Sequence, residues 1–474
     1  MEQKGYFSMA AETAAETFDA IILGAGQSGV PLARALAAAG KRVALVERDA
    51  VGGTCVNRGC TPTKTMIASA RVAYLARRGA DYGVGTGPVT VDLTKIRQRK
   101  RDIVSSFRQG TEKSLAETKG ITLLYGEGRF TGPKTVEVAP KDGGTPRTLT
   151  APQVFLNTGA RASLPKMDGL DDVPYLDSTS IMELGSVPAH LVILGGSYVA
   201  LEFGQMFRRF GSRVTVIEQS EHLLGHEDPD VAEEMRKILT EDGIEIHLGA
   251  SASRVSKTPE GVSLAVTVGG NEQAISGSHL LAAVGRTPNT DALNLEAANV
   301  ETDATGHVKA NDRLETTAEG VWVLGDVKGG PQFTHISYDD FRILRTNLID
   351  GGSRTTSDRP IPYTVFTDPQ LGRVGMTEAE ARKSGKNIKV ATLPMSEVAR
   401  AIETDETRGF MKAVVDADTS QILGAAILGV DGGEVMAVLE VAMMGKLPYT
   451  ALRDATLAHP TLAESLNNLF MTLD

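Results

Sequence analysis

Short apolar runs alternate with amphipathic stretches from residue 19 onward. DAIILG (19–24) is brief and apolar enough for a strand buried on both faces. GAGQSG, an Ala-rich helical stretch and a second strand, RVALVE, follow it, ending at Glu47. The same order returns in HLVILGGSYVALEFGQMFRRFGSRVTVIEQS (190–220), where strand, glycine turn, helix and strand end at Glu218. TTAEGVWVLGD (316–326) predicts a further strand ending in Gly325-Asp326. After about residue 350 the character changes. GGSRTTSDRP is a Gly/Ser/Pro-rich linker, and beyond it IPYTVF, NIKVATLPM, GFMKAVVD and ILGAAILG predict strands, with helices near 377–384, 432–445 and 449–454. This last part lacks a glycine fingerprint and reads as an interface.

Composition narrows the class. A chain of 474 residues exceeds a single core and suggests about three domains. Its 50 glycines exceed the usual share of roughly 7%, which suits tight turns and close backbone approach. A net charge of −10 argues against a nucleic-acid partner, and the basic run KIRQRKR (95–101) reads as a solvated helix face. No run of 18 apolar residues predicts a membrane span. The N-terminus lacks a basic region followed by an apolar core, so residues 1–17 read as a loose extension. Two cysteines in such a chain suit a reducing compartment, the cytoplasm.

Both strand–glycine–helix–strand units have the layout of a dinucleotide site. The glycines permit a tight turn and close approach to a pyrophosphate, and the helix N-terminus favours negative charge. The interval from glycine to acid is the same in both, Gly24 to Glu47 and Gly195 to Glu218. The second departs from the fingerprint at Ser197 and Ala200, which predicts a slightly displaced loop. Two sites imply two cofactors. The cysteines follow the first unit, which assigns it a flavin and the second a nicotinamide. Glu218 suits the ribose of NADH and repels the 2′-phosphate of NADPH, and Gln219-Ser220 brings no arginine, so NADH is favoured. In GGTCVNRGCTPTKT (52–65) the two thiols could form a metal clip, a staple or a redox pair. Thr61 and Pro62 predict an N-cap and first helical position, placing Cys60 at a helix N-terminus, where a thiolate is stabilised.

With GAGQSG, GGTCVNRGCTPTK, LNTG, AAVGRTPN, VWVLGD and AHPTLAE in this order, the chain resembles the pyridine nucleotide–disulfide oxidoreductases from about residue 18 to its end. That family includes glutathione reductase, dihydrolipoamide dehydrogenase and mercuric reductase. The resemblance implies an α/β fold with two Rossmann-like dinucleotide-binding domains and a C-terminal α+β dimerisation domain. Residues 18–156 and 281–348 would bind FAD, 157–280 NAD(P)H, and 355–474 would form the dimer interface. It implies a redox-active Cys55–Cys60 disulfide, Cys60 facing the flavin and Cys55 attacking the substrate. It makes Lys64 a neighbour of flavin N5, paired with Glu202. Tyr198 would gate the nicotinamide pocket, and His459, oriented by Glu464, would act as acid–base at the redox pair of the other subunit. FAD contacts would come from Gly24, Gly26, Ser28, Gly29 and Glu47, then Gly53, Thr54 and Lys64, then Thr158, Gly159, Gly325 and Asp326. The nicotinamide cofactor would meet Gly195, Ser197, Tyr198, Glu218 and Gly285. No resident metal is implied.

Within the family, VFTDPQLGRVGMTEAEA is similar to mercuric reductases, but ESLNNLFMTLD carries no cysteine pair for capturing a soft metal. GGPQFTHISYDDFRIL and AHPTLAESLNNLF look closer to flavoenzymes of reactive-chlorine and hypothiocyanous-acid resistance. The implied function is NAD(P)H-dependent reduction of a small disulfide or other oxidised sulfur species by a homodimer. The alternatives are hypothiocyanous acid or reactive chlorine species, Cu(II), Hg(II), quinones, or service in a dihydrolipoamide dehydrogenase-like complex. Arg58 stands between the cysteines where relatives carry a small apolar residue, and Thr61 and Thr63 also depart from the common pattern.

Overall fold

The fully apolar run Ala20–Leu23 is buried along its whole length, as expected of a strand covered on both faces. It lies at the centre of a parallel arrangement with Val43–Glu47 on one side and Gln153–Leu156 on the other. A computed structural model describes residues 15–357 and 359–473 of the chain. These form two compact units, the first from residues up to 57, 104–161 and 287–358, the second from 58–103, 162–286 and 359–474.

The first unit is built on an eight-stranded sheet. From Ile121–Gly132 through Val43–Glu47, Ala20–Leu23 and Gln153–Leu156 to Val321–Val323 the strands run parallel. Ile121–Gly132 is long enough to continue into an antiparallel pairing with Thr135–Pro140, which pairs in turn with Arg147–Thr150. The last parallel strand arrives from a distant part of the sequence, and its Trp322 stacks on Phe155 with ring centroids 5.2 Å apart. The sheet also takes in Glu16–Thr17, paired with Arg147–Thr150 and fixed by a two-pronged Glu16–Arg147 ion pair at 2.7 Å. The expected loose extension is therefore corrected at residues 16 and 17. Its first 14 residues lie outside the described ones.

The second unit contains a parallel sheet ordered Ile244–His247, Arg213–Ile217, His190–Leu194, His279–Ala282, with an antiparallel meander over Ala250–Gly277. It also contains a five-stranded antiparallel sheet ordered Tyr363–Val365, Gln370–Gly375, Ile422–Gly429, Phe410–Asp416, Ile388–Pro394. One core joins the helices Cys60–Arg77 and Tyr198–Phe210 to this second sheet, through Met66, Ala70, Phe203, Phe207, Val365 and Leu428. For that reason segment 58–103 packs within the second unit.

Three further expectations change. The strand Gln370–Gly375 and the helices Ala399–Glu403 and Ser465–Met471 are additions. In Gln370–Gly375 a Cβ on Gly372 would lie 2.4 Å from the Gly432 carbonyl, so this glycine admits a helix and does not mark a turn. The helix bearing Cys60 begins at Cys60 itself, with Gly59 as N-cap, two residues before the expected start. Pro62 then stands third in the helix, where a missing N–H still costs no intrahelical bond. Finally, the basic run within Leu93–Glu117 is a solvated face only in part, since Lys95, Arg99 and Arg101 are exposed while Lys100 is not. Lys100 is buried against Glu183, Arg101 pairs with the same carboxylate, Arg97 donates to the Glu183 carbonyl and Arg99 to that of Thr65. No described helix is long and apolar enough to cross a membrane.

Candidate active site

In the first glycine module the loop is closed by its own backbone. Gly24 has φ +108°, and a Cβ there would sit 2.2 Å from the Asn157 carbonyl oxygen. A Cβ on Gly29 would lie 2.1 Å from the Gly24 oxygen, and one on Gly53 would lie 2.8 Å from Gly26 Cα. Ser28 is fully buried and donates to Asn157 Oδ1 at 2.6 Å, with Ser337 Oγ 2.9 Å away, while Asn157 Nδ2 donates to the Gly24 carbonyl. The helix Gly29–Ala38 starts from this closed turn. Glu47 accepts from the Ala25 N–H at 2.9 Å and the Asp49 N–H at 2.8 Å, fixing the strand-end acid beside the loop. The result is a side-chain-free cradle next to a positioned carboxylate, which fits a dinucleotide. Thr158 donates to the Asn289 carbonyl and precedes Gly159 at φ +68°. Gly325 has φ +69° and donates its N–H to buried Asp340, which also faces Lys328. Asp326 follows, half-buried, and Thr54 is exposed.

The second module repeats the geometry with different packing. Gly195 has φ +109°, and a Cβ would lie 2.4 Å from the Ala283 carbonyl oxygen. Glu218 accepts from the Gly196 N–H and from the Ser220 N–H at 2.7 Å, the counterparts of Glu47's two bonds. A Cβ on Gly196 would meet Glu218 at 2.8 Å, so this position too requires glycine. The substituted positions are accommodated. Ala200 is buried and Ser197 faces solvent as N-cap of Tyr198–Phe210. Gly285, at φ +126°, is exposed with open space around its Cα.

Cys55 sits half-buried in the helix Gly53–Arg58, and Cys60 is exposed at the first position of Cys60–Arg77. Arg58 is exposed one turn after Cys55. One turn past Cys60, Lys64 donates to Glu202 Oε2 at 2.7 Å, and Glu202 is 3% exposed on the helix opened by half-buried Tyr198. His459 is exposed, and its Nδ1 lies 2.8 and 3.0 Å from the two carboxylate oxygens of Glu464. With the carboxylate accepting at Nδ1, the ring keeps Nε2 for proton exchange.

Sequence reasoning missed Asn157, Ser337 and Asp340, which tie down the first loop, and Phe366 and Asp368, which contact the helices of Lys64 and Glu202. Asn157 was legible as the second residue of LNTG. The others carry no motif. Asp368 is largely buried, which by itself would raise its pKa, but the charges and hydrogen bonds of Arg209 and Arg71 outweigh this and hold its carboxyl below the usual range.

Comparison with known proteins agrees with this layout. Residues 18–340 match the profile described as pyridine nucleotide-disulphide oxidoreductase, and residues 361–470 match that family's dimerisation domain. An Escherichia coli (strain K12) protein described as a probable pyridine nucleotide-disulfide oxidoreductase, RclA, is 39% identical over 96% of this chain and 98% of its own. A Bacillus cereus mercuric reductase is 35% identical over 96% of this chain and 72% of its own. A Haloferax volcanii dihydrolipoyl dehydrogenase is 33% identical over 94% of each. A solved structure, the Cu(II) complex of the HOCl-induced flavoprotein disulfide reductase RclA from Escherichia coli, superposes with a TM-score of 0.88 at 38% identity, covering 97% of this chain and all of the other. With both profiles matched in order and relatives aligned over nearly their whole length, the chain belongs to the pyridine nucleotide-disulphide oxidoreductase family, whose enzymes use FAD and NAD(P)H.

Proposed function

We propose that this oxidoreductase reduces a small disulfide or related oxidised sulfur species, as a homodimer, through Cys55 and Cys60. The observation that carries the reading is Cys60 at the first position of a helix whose next turn presents Lys64 held by buried Glu202. A helix N-terminus stabilises a thiolate, and a fixed cation one turn on adds to that field. FAD-binding is assigned to residues 18–156 and 281–348, nicotinamide binding to 157–280, and the dimer interface to 355–474. Gly24, Gly26, Gly29, Glu47 and the Gly325–Asp326 turn would hold FAD, with Gly53, Thr54, Thr158 and Gly159 beside it. Gly195, Ser197, Glu218 and Gly285 would hold the nicotinamide cofactor under Tyr198. The bound flavin supplies two-electron transfer from the nicotinamide to the Cys55–Cys60 disulfide.

The steps on the protein's own groups balance as thiol–disulfide exchange. In the dithiol state the Cys55 thiolate attacks one substrate sulfur, forming a mixed disulfide and expelling the other sulfur as a thiolate. The partner subunit's His459 protonates that leaving group, with Glu464 stabilising the imidazolium. Cys60 then attacks Cys55, releases the second thiol and restores the disulfide. Glu218, with no arginine at positions 219 and 220, favours NADH over NADPH. A cytoplasmic setting suits a pair that must cycle through its dithiol form.

Anaerobic titration with NADH should bleach the flavin and give a long-wavelength thiolate–flavin band. A flavin-replete protein with both cysteines and no such band would sink the redox-pair reading. A second reading, direct reduction of a metal ion or quinone from the flavin, is favoured by the similar solved structure being a Cu(II) complex. Stopped-flow reoxidation of reduced enzyme by small disulfides, hypothiocyanous acid, Cu(II), Hg(II) and quinones separates the two. Turnover that survives Cys55→Ser and His459→Ala belongs to the second.

A further inference from the structure

Lys64 is held by more than Glu202. The ammonium lies over the face of the Phe366 ring, 4.6 Å from its centroid, while Glu202 receives it on Oε2. The other carboxylate oxygen, Oε1, accepts the backbone N–H of the same Phe366 at 2.9 Å. One residue thus touches both members of the pair, with its ring on the cation and its amide on the anion.

The placement of Phe366 is itself determined two residues on, at Asp368. Its carboxylate accepts from Arg71 at 2.5 Å and from Arg209. Its backbone N–H donates to Gln205 Oε1 at 2.7 Å, and its carbonyl accepts from Gln205 Nε2 at 2.8 Å and Arg408 at 3.0 Å. The helical register explains why these groups converge. Arg71 stands two turns after Lys64 on Cys60–Arg77, and Arg209 stands two turns after Glu202 on Tyr198–Phe210, with Gln205 between them. Each helix presents one functional side chain to residue 366, and toward residue 368 the first presents Arg71 and the second Gln205 and Arg209. The Tyr74 ring fills the far end of the clasp, with the Arg209 guanidinium 3.9 Å from its centroid and those of Arg71, Arg78 and Arg408 within 5.9 Å.

We propose that Phe366 is a positioning residue for the NAD(P)H-driven half-reaction, holding the Lys64 ammonium against Glu202 in the orientation in which it faces the flavin, and that Asp368 and its arginine cluster fix Phe366 there. This rests on the reading that places Lys64 at the flavin. A lysine chain has many rotamers, and a single carboxylate restrains the distance of its ammonium more than its direction. A ring face adds a second, directional restraint without adding charge. The leucine variant keeps the backbone N–H to Glu202 and removes only the aromatic face.

The test uses FAD-loaded Phe366→Leu, Phe366→Tyr, Lys64→Gln and the Phe366→Leu/Lys64→Gln double variant. Phe366→Leu is expected to retain its FAD and a Tm within about 3 °C of the parent. It should slow stopped-flow flavin reduction by about tenfold at saturating NADH, with half-saturation unchanged. Its flavin absorption maximum should shift in the direction seen for Lys64→Gln, Phe366→Tyr should restore rate and spectrum, and the double variant should match Lys64→Gln alone. A Phe366→Leu protein with parental rate and spectrum overturns the proposal, as does an effect that multiplies with that of Lys64→Gln. Lys64→Gln without effect on rate or spectrum overturns the underlying reading instead, and the proposal with it. If the leucine variant fails to hold FAD, Phe366→Met, close to phenylalanine in volume, is read by the same criteria.

Discussion

The two glycine modules share a turn, a carboxylate and a spacing, yet they are secured at opposite ends. The first is secured at its loop, where Ser28, Asn157 and Ser337 form a buried polar knot and Gly29 and Gly53 pack without room for a methyl group. The second is closed at Gly195 and Gly196 but looser beyond them, with Ser197 in solvent and a methyl accommodated at Ala200. It is held at the far end of its helix, where Gln205 and Arg209 grip Asp368. A loop sealed by its own protein suits a ligand that stays, and a looser one suits a ligand that comes and goes each cycle. On the proposed assignment, the more tightly sealed module holds the resident flavin and the looser one the exchanging nicotinamide.

The sharpest way to break this contrast is a reciprocal exchange at the third fingerprint position. Gly29→Ala places a Cβ 2.1 Å from the Gly24 oxygen, with no flexible neighbour to yield. A cost of about 3 kcal/mol is expected, seen as loss of bound FAD during purification and a Tm lower by roughly 10 °C. Ala200→Gly should cost only about 1 kcal/mol, with FAD content unchanged by absorbance. Equal damage from both would end the distinction.

Next in size is Asn157→Ala, which strips two partners from buried groups and should weaken FAD retention by about 2 kcal/mol, measured as the dissociation constant of the refilled apoprotein. Its counterpart Ser197→Gly touches no buried group and should change the KM for NADH by less than about threefold. Glu218→Ala sharpens ligand identity. It should lower kcat/KM for NADH about tenfold while leaving that for NADPH nearly unchanged, consistent with one lost charged hydrogen-bond acceptor and one relieved repulsion.

The smallest expected effect concerns acid. The Asp368 carboxyl is held below its ordinary range despite burial, because Arg209 and Arg71 face it. The unfolded chain then takes up this proton more readily than the folded one. Its stabilisation is fully present above a pH of about 4 and fades as pH falls through the depressed folded value. Denaturant midpoints across pH 5 to 2.5 should fall less steeply in Asp368→Asn than in the parent, and equal slopes would remove Asp368 as the anchor of the second module.

Much of this was legible from local pattern. The strands Ala20–Leu23 and His190–Leu194 were visible because burial on both faces demands unbroken apolar runs, and the glycine-to-acid interval exposed the duplication. What escaped was tertiary. Gln370–Gly375 went unnamed as a strand because Gly372 serves a neighbouring helix, and Lys100 looked solvated because Glu183 is remote in sequence. Phe366 and Asp368 have no motif, since their meaning lies in the side chains that two separate helices bring to them.

The sheet of the first unit carries a consequence for how the chain is made. Its strand Val321–Val323 must pair with Gln153–Leu156, and Ser28 must find Ser337, a residue synthesised far later. At ribosomal speeds of about 5–20 residues per second, roughly 10–30 s separate the two strands, so the nascent chain displays both thiols before the loop that precedes them can lock. Both thiols are thus open to oxidation throughout that interval, and Cys60, exposed in the folded protein as well, stays so afterwards.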